Sequence, residues 1–73
     1  MSRLPQISGQ QLVRALERLG FTVRRQHGSH IILRRDDPFA QTVVPNHRQI
    51  DRGTLRAIIR QTGISAEDLS EHS

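Results

Sequence analysis

Two short runs of alternating apolar residues, at 21–26 and 30–35, flank His27-Gly28-Ser29, and the length of the loop between them constrains the fold more than any other feature. Side chains alternate faces along a strand, so a one-residue change of pairing sends each of them to the other face. A two-residue loop, Gly28-Ser29, pairs His27 with His30 and puts Phe21 and Val23 on the face opposite Ile31 and Leu33. A three-residue loop pairs Gln26 with His30 and gathers all four apolar residues on one face. A chain of 73 residues buries only about 60% of its unfolded surface, and so thin a core tolerates no such split. The three-residue loop is therefore expected, with a bulge at the turn. Its outer face carries Thr22, Arg24, Gln26, His30, Ile32 and Arg34.

Helices are expected on either side of this hairpin. Ser8 and Gln11 have capping-box spacing, Leu12, Val13, Leu16 and Leu19 recur at helical spacing, and Gly20 supplies a stop, which predicts a helix over 9–19. Asp36-Asp37-Pro38-Phe39 reads as a turn and 41–44 as a short third strand, with Pro45 at its end. Asp51 caps a second helix whose stripe is Leu55, Ile58 and Ile59, and Gly63 closes it. Ser65 with Asp68 starts a last turn or short helix, with Leu69 packing back. The fold class is α+β, α-β-β-β-α, a three-stranded antiparallel sheet covered on one face by two helices. In outline that resembles a double-stranded-RNA-binding domain. The chain, 1–73, is read as one domain with a core at about 8–69 and a polar tail at 70–73.

The face left open is expected to be basic. All 11 basic residues are arginine, against 7 acidic ones, for a net charge of +4. Arginine's planar fork matches phosphate bidentately and stacks on bases, which points to a nucleic-acid partner. An arginine-rich composition would also arise where arginine simply replaces lysine throughout. There is no cysteine, hence no disulfide framework, and no apolar run long enough to span a membrane. A cytoplasmic location is expected.

His30 is the leading candidate for chemistry. Cleaving RNA takes a base for the 2′-hydroxyl proton, an acid for the leaving 5′-oxygen, and charge stabilisation at phosphorus. Imidazole serves either proton-transfer role near neutral pH and typically contributes about 100- to 10,000-fold in rate. Arg24 and Arg34 flank His30 on the same face and are placed to hold the scissile phosphate. His27, beside the turn, and His47, in the loop after the third strand, are secondary candidates. The spacing of His27, His30 and His47 matches no zinc ligand set, and a metal site is not expected. Arg52, Arg56 and Arg60 form a stripe on the second helix that suits phosphates, an acidic protein or plain solvent equally.

Three stretches taken in order resemble the HicA toxin family: Gly28-Ser29-His30 before an apolar strand, Val44-Pro45-Asn46-His47, and the helix containing Gly53-Thr54-Leu55-Arg56-Ala57-Ile58. Leu16-Glu17-Arg18-Leu19-Gly20-Phe21 fits the family's first helix running into its first strand, so the resemblance covers about 8–69. It implies a toxin of a toxin–antitoxin pair that cleaves messenger RNA without the ribosome. It also implies His30 as catalytic residue, no metal or organic cofactor, and a HicB-type antitoxin as partner. Arg24, Arg34, Gly28 and Ser29 are then the expected RNA contacts, with His27, His47, Arg56 and Arg60 secondary. Two alternatives stay open: a non-catalytic RNA-binding module using the same face, and a protein whose basic surface only docks an acidic chain.

Overall fold

The computed structural model describes residues 4–72, with the order α1 (Gly9–Arg18), β1 (Thr22–His27), β2 (His30–Asp36), β3 (Phe39–Pro45), α2 (Arg52–Thr62) and α3 (Ala66–His72). Each helix starts where a side chain satisfies a backbone donor that lacks an intrahelical partner. At α1 the Gln11 N–H donates to Ser8 Oγ at 3.1 Å, and the Ser8 N–H donates back to Gln11 Oε1 at 2.9 Å. At α2 the Thr54 N–H and hydroxyl donate to the Asp51 carboxylate at 3.2 and 2.6 Å. Ser65 and Asp68 repeat the reciprocal arrangement at α3. Gly20 and Gly63 end α1 and α2 with φ of 100° and 74°, values that a side chain resists.

The three strands form one antiparallel sheet in the order β1-β2-β3. Ile31, Leu33, Ala40, Thr42 and Val44 face inward, where Leu12, Leu16, Phe21, Leu55, Ile58 and Leu69 complete the core. Both α1 and α2 pack on this face, and α3 packs against α1. The architecture is thus the expected α+β sandwich of one sheet and one helical layer, with the opposite sheet face uncovered. Helix α3 runs to His72, into the segment expected as a tail.

The register corrects the expected hairpin. His27 pairs with His30 across a two-residue Gly28-Ser29 turn, not Gln26 across three residues. The apolar residues are not split, because β1 bulges at Arg24: Arg25 pairs with Ile32, but Val23 pairs with Leu33. One extra residue in the strand restores the parity that a third loop residue would have supplied. Gln26 consequently pairs with Ile31 and leaves His30's face, while Arg25 takes a place on it. All of β1 is exposed; Val23 pairs with Leu33 and so lies on the expected face, yet it is 42% exposed and outside the core. Ile32, expected on the outer face and there exposed or covered by a partner, is half-buried. The third strand is longer than expected, since Asp36 pairs with Phe39 and only Asp37-Pro38 is left as the turn.

Candidate functional site

His30 opens β2 and is exposed on the uncovered face. Its neighbours there follow from register: His27 and Pro45 beside it, then Ile32 with Val43, then Arg34 with Gln41. Gly28 has φ of 57°, which turns the chain in two residues. A Cβ at Gly28 would meet nothing within 4 Å, so the backbone angle alone favours glycine.

Two segments distant in sequence brace this turn. The Asn46 N–H donates to the Ser29 carbonyl at 2.6 Å, and Asn46 Oδ1 accepts from Gln10 Nε2 at 2.9 Å. The Gly9 N–H donates to the His47 carbonyl at 2.8 Å, and the Ile50 N–H to the Ile7 carbonyl at 2.9 Å. The start of α1 is therefore pressed against the loop after β3. A Cβ on Gly9 would collide with the Pro45 carbonyl oxygen and approach Asn46 Cα to 2.9 Å. On the turn's other side, Gln26 Nε2 donates to the Gly28 carbonyl at 2.9 Å. The histidine thus projects from a hairpin end held from two directions.

Arg24 and Arg34 do come together, and the bulge adds Arg25. With Gln41 these three line a polar depression of about 320 Å³. Arg34 is half-buried and pairs through Nε with Asp36 at 2.9 Å, which fixes its guanidinium plane. Arg24 and Arg25 have no ion-pair partner among the described residues. Arg34 lies four residues along β2 from His30, about 13 Å away along the strand. The neighbouring Arg35 points inward instead: its guanidinium sits 4.6 Å over the Phe21 ring and donates to the Pro38 and Thr62 carbonyls.

The remaining candidates are spread out. Gly28 and Ser29 adjoin His30. His47 is exposed in the loop that braces the turn, where its backbone carbonyl has a defined partner. Arg56 and Arg60 are exposed on α2, in the layer behind the sheet, and are not brought onto His30's face. Among the described residues no group of three His, Asp or Glu side chains is placed to share a metal ion. No helix among them is long and apolar enough to cross a membrane. Sequence reasoning missed Arg25, Gln41 and the Gly9–Gln10–Asn46 brace. The signal for the brace was a glycine at the first helical position, where better helix formers are available.

The open face therefore combines two exposed imidazoles at one end with a cluster of arginines further along. The arrangement can exchange protons and hold phosphates. No curated protein shows significant similarity to this chain. Residues 9–64 match the family model described as HicA toxin of bacterial toxin-antitoxin.

Proposed function

The chain belongs to the HicA toxin family of bacterial toxin–antitoxin systems, and from that premise we propose that it is a ribosome-independent endoribonuclease acting on messenger RNA through His30. The observation that carries this reading is the exposure of His30 on an uncovered, arginine-bearing sheet face, at a hairpin end braced by Asn46 and Gln26. An extended strand needs such a platform, because a domain this small has no room for a deep cleft.

In the proposed reaction a ribose 2′-oxygen attacks the adjacent phosphorus and the bond from phosphorus to the 5′-oxygen breaks. The 2′-hydroxyl gives its proton to a base, and the leaving 5′-oxygen takes one from an acid. The products are a 2′,3′-cyclic phosphate and a 5′-hydroxyl. His30 performs one of these transfers, and His27 is the nearest candidate for the other, since it pairs with His30 across the turn. His47 is a further candidate from the bracing loop. No cofactor enters this scheme. A HicB-type antitoxin would inhibit by covering His30, with Arg56 and Arg60 on α2 as further contacts for the antitoxin or for RNA. The site of action is the cytoplasm, where messenger RNA is found.

Incubating the purified protein with a structured messenger RNA, without ribosomes, tests the reading. Fragments ending in 2′,3′-cyclic phosphate are expected. Binding without cleavage would overturn it in favour of a non-catalytic RNA-binding module.

A further inference from the structure

We propose that Arg24, Arg25, Arg34 and Gln41 form a phosphate-binding subsite for single-stranded RNA, set apart from the scissile phosphate and occupied by the backbone further along the strand. The inference rests on the reading of His30 as the cleavage site, and it replaces the simpler expectation that Arg24 and Arg34 hold the phosphate being cut.

Three observations carry it. The first is distance: the Arg34–Gln41 pair stands two rungs beyond the Ile32–Val43 pair and four residues from His30 along β2, about 13 Å away. That exceeds the reach from one phosphate to its neighbour in a nucleic-acid strand and suits a strand lying along the face. The second is the bulge. A regular ladder would send Arg24 and Arg25 to opposite faces, whereas both line the same depression as Arg34 and Gln41. Bulges re-aim side chains in this way beside functional sites. The third is chemistry. Two guanidinium groups without ion-pair partners among the described residues, a third oriented by Asp36, and a neutral amide make a donor-rich concavity suited to a phosphate.

The ground between the two positions fits the same substrate. Ile32 and Val43 are paired there on the open face, Val43 at 43% exposure, and with Arg25 on the same rung they offer a partly apolar surface between His30 and Arg34. A nucleotide of the strand lying between the two positions would pack its base or ribose against it. Single-strand binding sites combine a basic track for the backbone with a surface on which bases pack. Duplex RNA, which presents a wide shallow groove instead of a splayed strand, would not follow this track.

The test pairs binding with kinetics. Arg25→Gln and Arg34→Gln are made together, first in a His30→Ala background so that the RNA stays intact. Affinity for a single-stranded oligonucleotide of about ten nucleotides is expected to fall roughly tenfold or more, with a shallower salt dependence as phosphate contacts are lost. In the cleaving protein, the same pair is expected to raise KM while leaving kcat near its original value. Circular dichroism of the variants should be unchanged, because Arg25 is exposed and Arg34 half-buried.

Unchanged RNA affinity and salt dependence would overturn the subsite. A kcat that falls with KM steady would place the arginines at the scissile phosphate and overturn the separation. Loss of antitoxin binding with RNA binding intact would reassign the depression to a protein partner. Absence of cleavage by the unsubstituted protein would instead sink the endoribonuclease reading, and the binding arm would still decide whether the arginines hold RNA.

Discussion

His27 and His30 are partners across the last rung of the β1–β2 hairpin, one on each side of the Gly28-Ser29 turn. Residues that pair directly in an antiparallel ladder share a face, with Cβ atoms about 4.5–5.5 Å apart. Two imidazoles projecting from one face with Cβ atoms that far apart are placed to reach the attacking and leaving oxygens at the two ends of one phosphodiester. Replacing His27 with Gln is expected to lower cleavage by about 100-fold or more and to remove one limb of the pH–rate profile. The profile separates this role from a structural one: a bell that survives intact in the variant would assign the second proton transfer elsewhere, His47 first.

Gly9 leaves no room for a side chain where α1 meets the Pro45-Asn46-His47 backbone. Gly9→Ala should destabilise the protein by about 1–3 kcal/mol, in the range of overpacked positions. Because the displaced loop is the one that holds Ser29, cleavage should fall even at temperatures where the variant is folded. Thermal melting and a rate measurement well below the midpoint check the two effects separately.

Arg35 serves the fold, although it lies in the same strand as the proposed RNA contacts. It sits over Phe21 and ties the β2–β3 turn to the end of α2 through the Pro38 and Thr62 carbonyls. Arg35→Ala should cost about 1–3 kcal/mol of stability. Denaturant unfolding measures that loss, and RNA affinity at full occupancy of the native state should be nearly unchanged. The opposite pattern is expected for Arg25, so the two substitutions form a matched pair.

Asp51 gives the protein a predictable acid sensitivity. The Thr54 hydroxyl, and then the Thr54 N–H, donate to its carboxylate and hold it below its ordinary value of 3.8. A carboxyl that is more acidic in the folded state contributes stability that is fully present above the unfolded value. That contribution is lost as pH falls through 3.8 and then through the lower folded value. Melting temperatures measured across this acid range should drop more steeply for the native protein than for Asp51→Asn. Parallel curves would contradict the role of the cap.

The sequence made the two main helices legible because their signals are local. Ser8 with Gln11 and Asp51 with the following apolar stripe announce a start, and Gly20 and Gly63 announce a stop. The sheet was legible in its apolar faces and not in its register. Keeping Phe21 and Leu33 on one side requires one unpaired residue, and alternation cannot say whether that residue belongs to the turn or to the strand. It belongs to the strand, at Arg24, which is why Arg25 was overlooked and Gln26 misplaced. The brace on His30 was only faintly legible, for a different reason. Gly9 signals a close approach at the start of α1, but Gln10 and Asn46 meet only after the sheet and α1 have packed, and Gly9 does not say which segment approaches.

The central claim is that His30 transfers a proton during cleavage of RNA, and the most direct test is cleavage by purified His30→Ala. The variant should melt like the native protein, because the side chain is exposed and outside the core. It should bind single-stranded RNA with undiminished affinity and cleave it about 100- to 10,000-fold more slowly. A folded His30→Ala protein that cuts RNA at the native rate would contradict the claim.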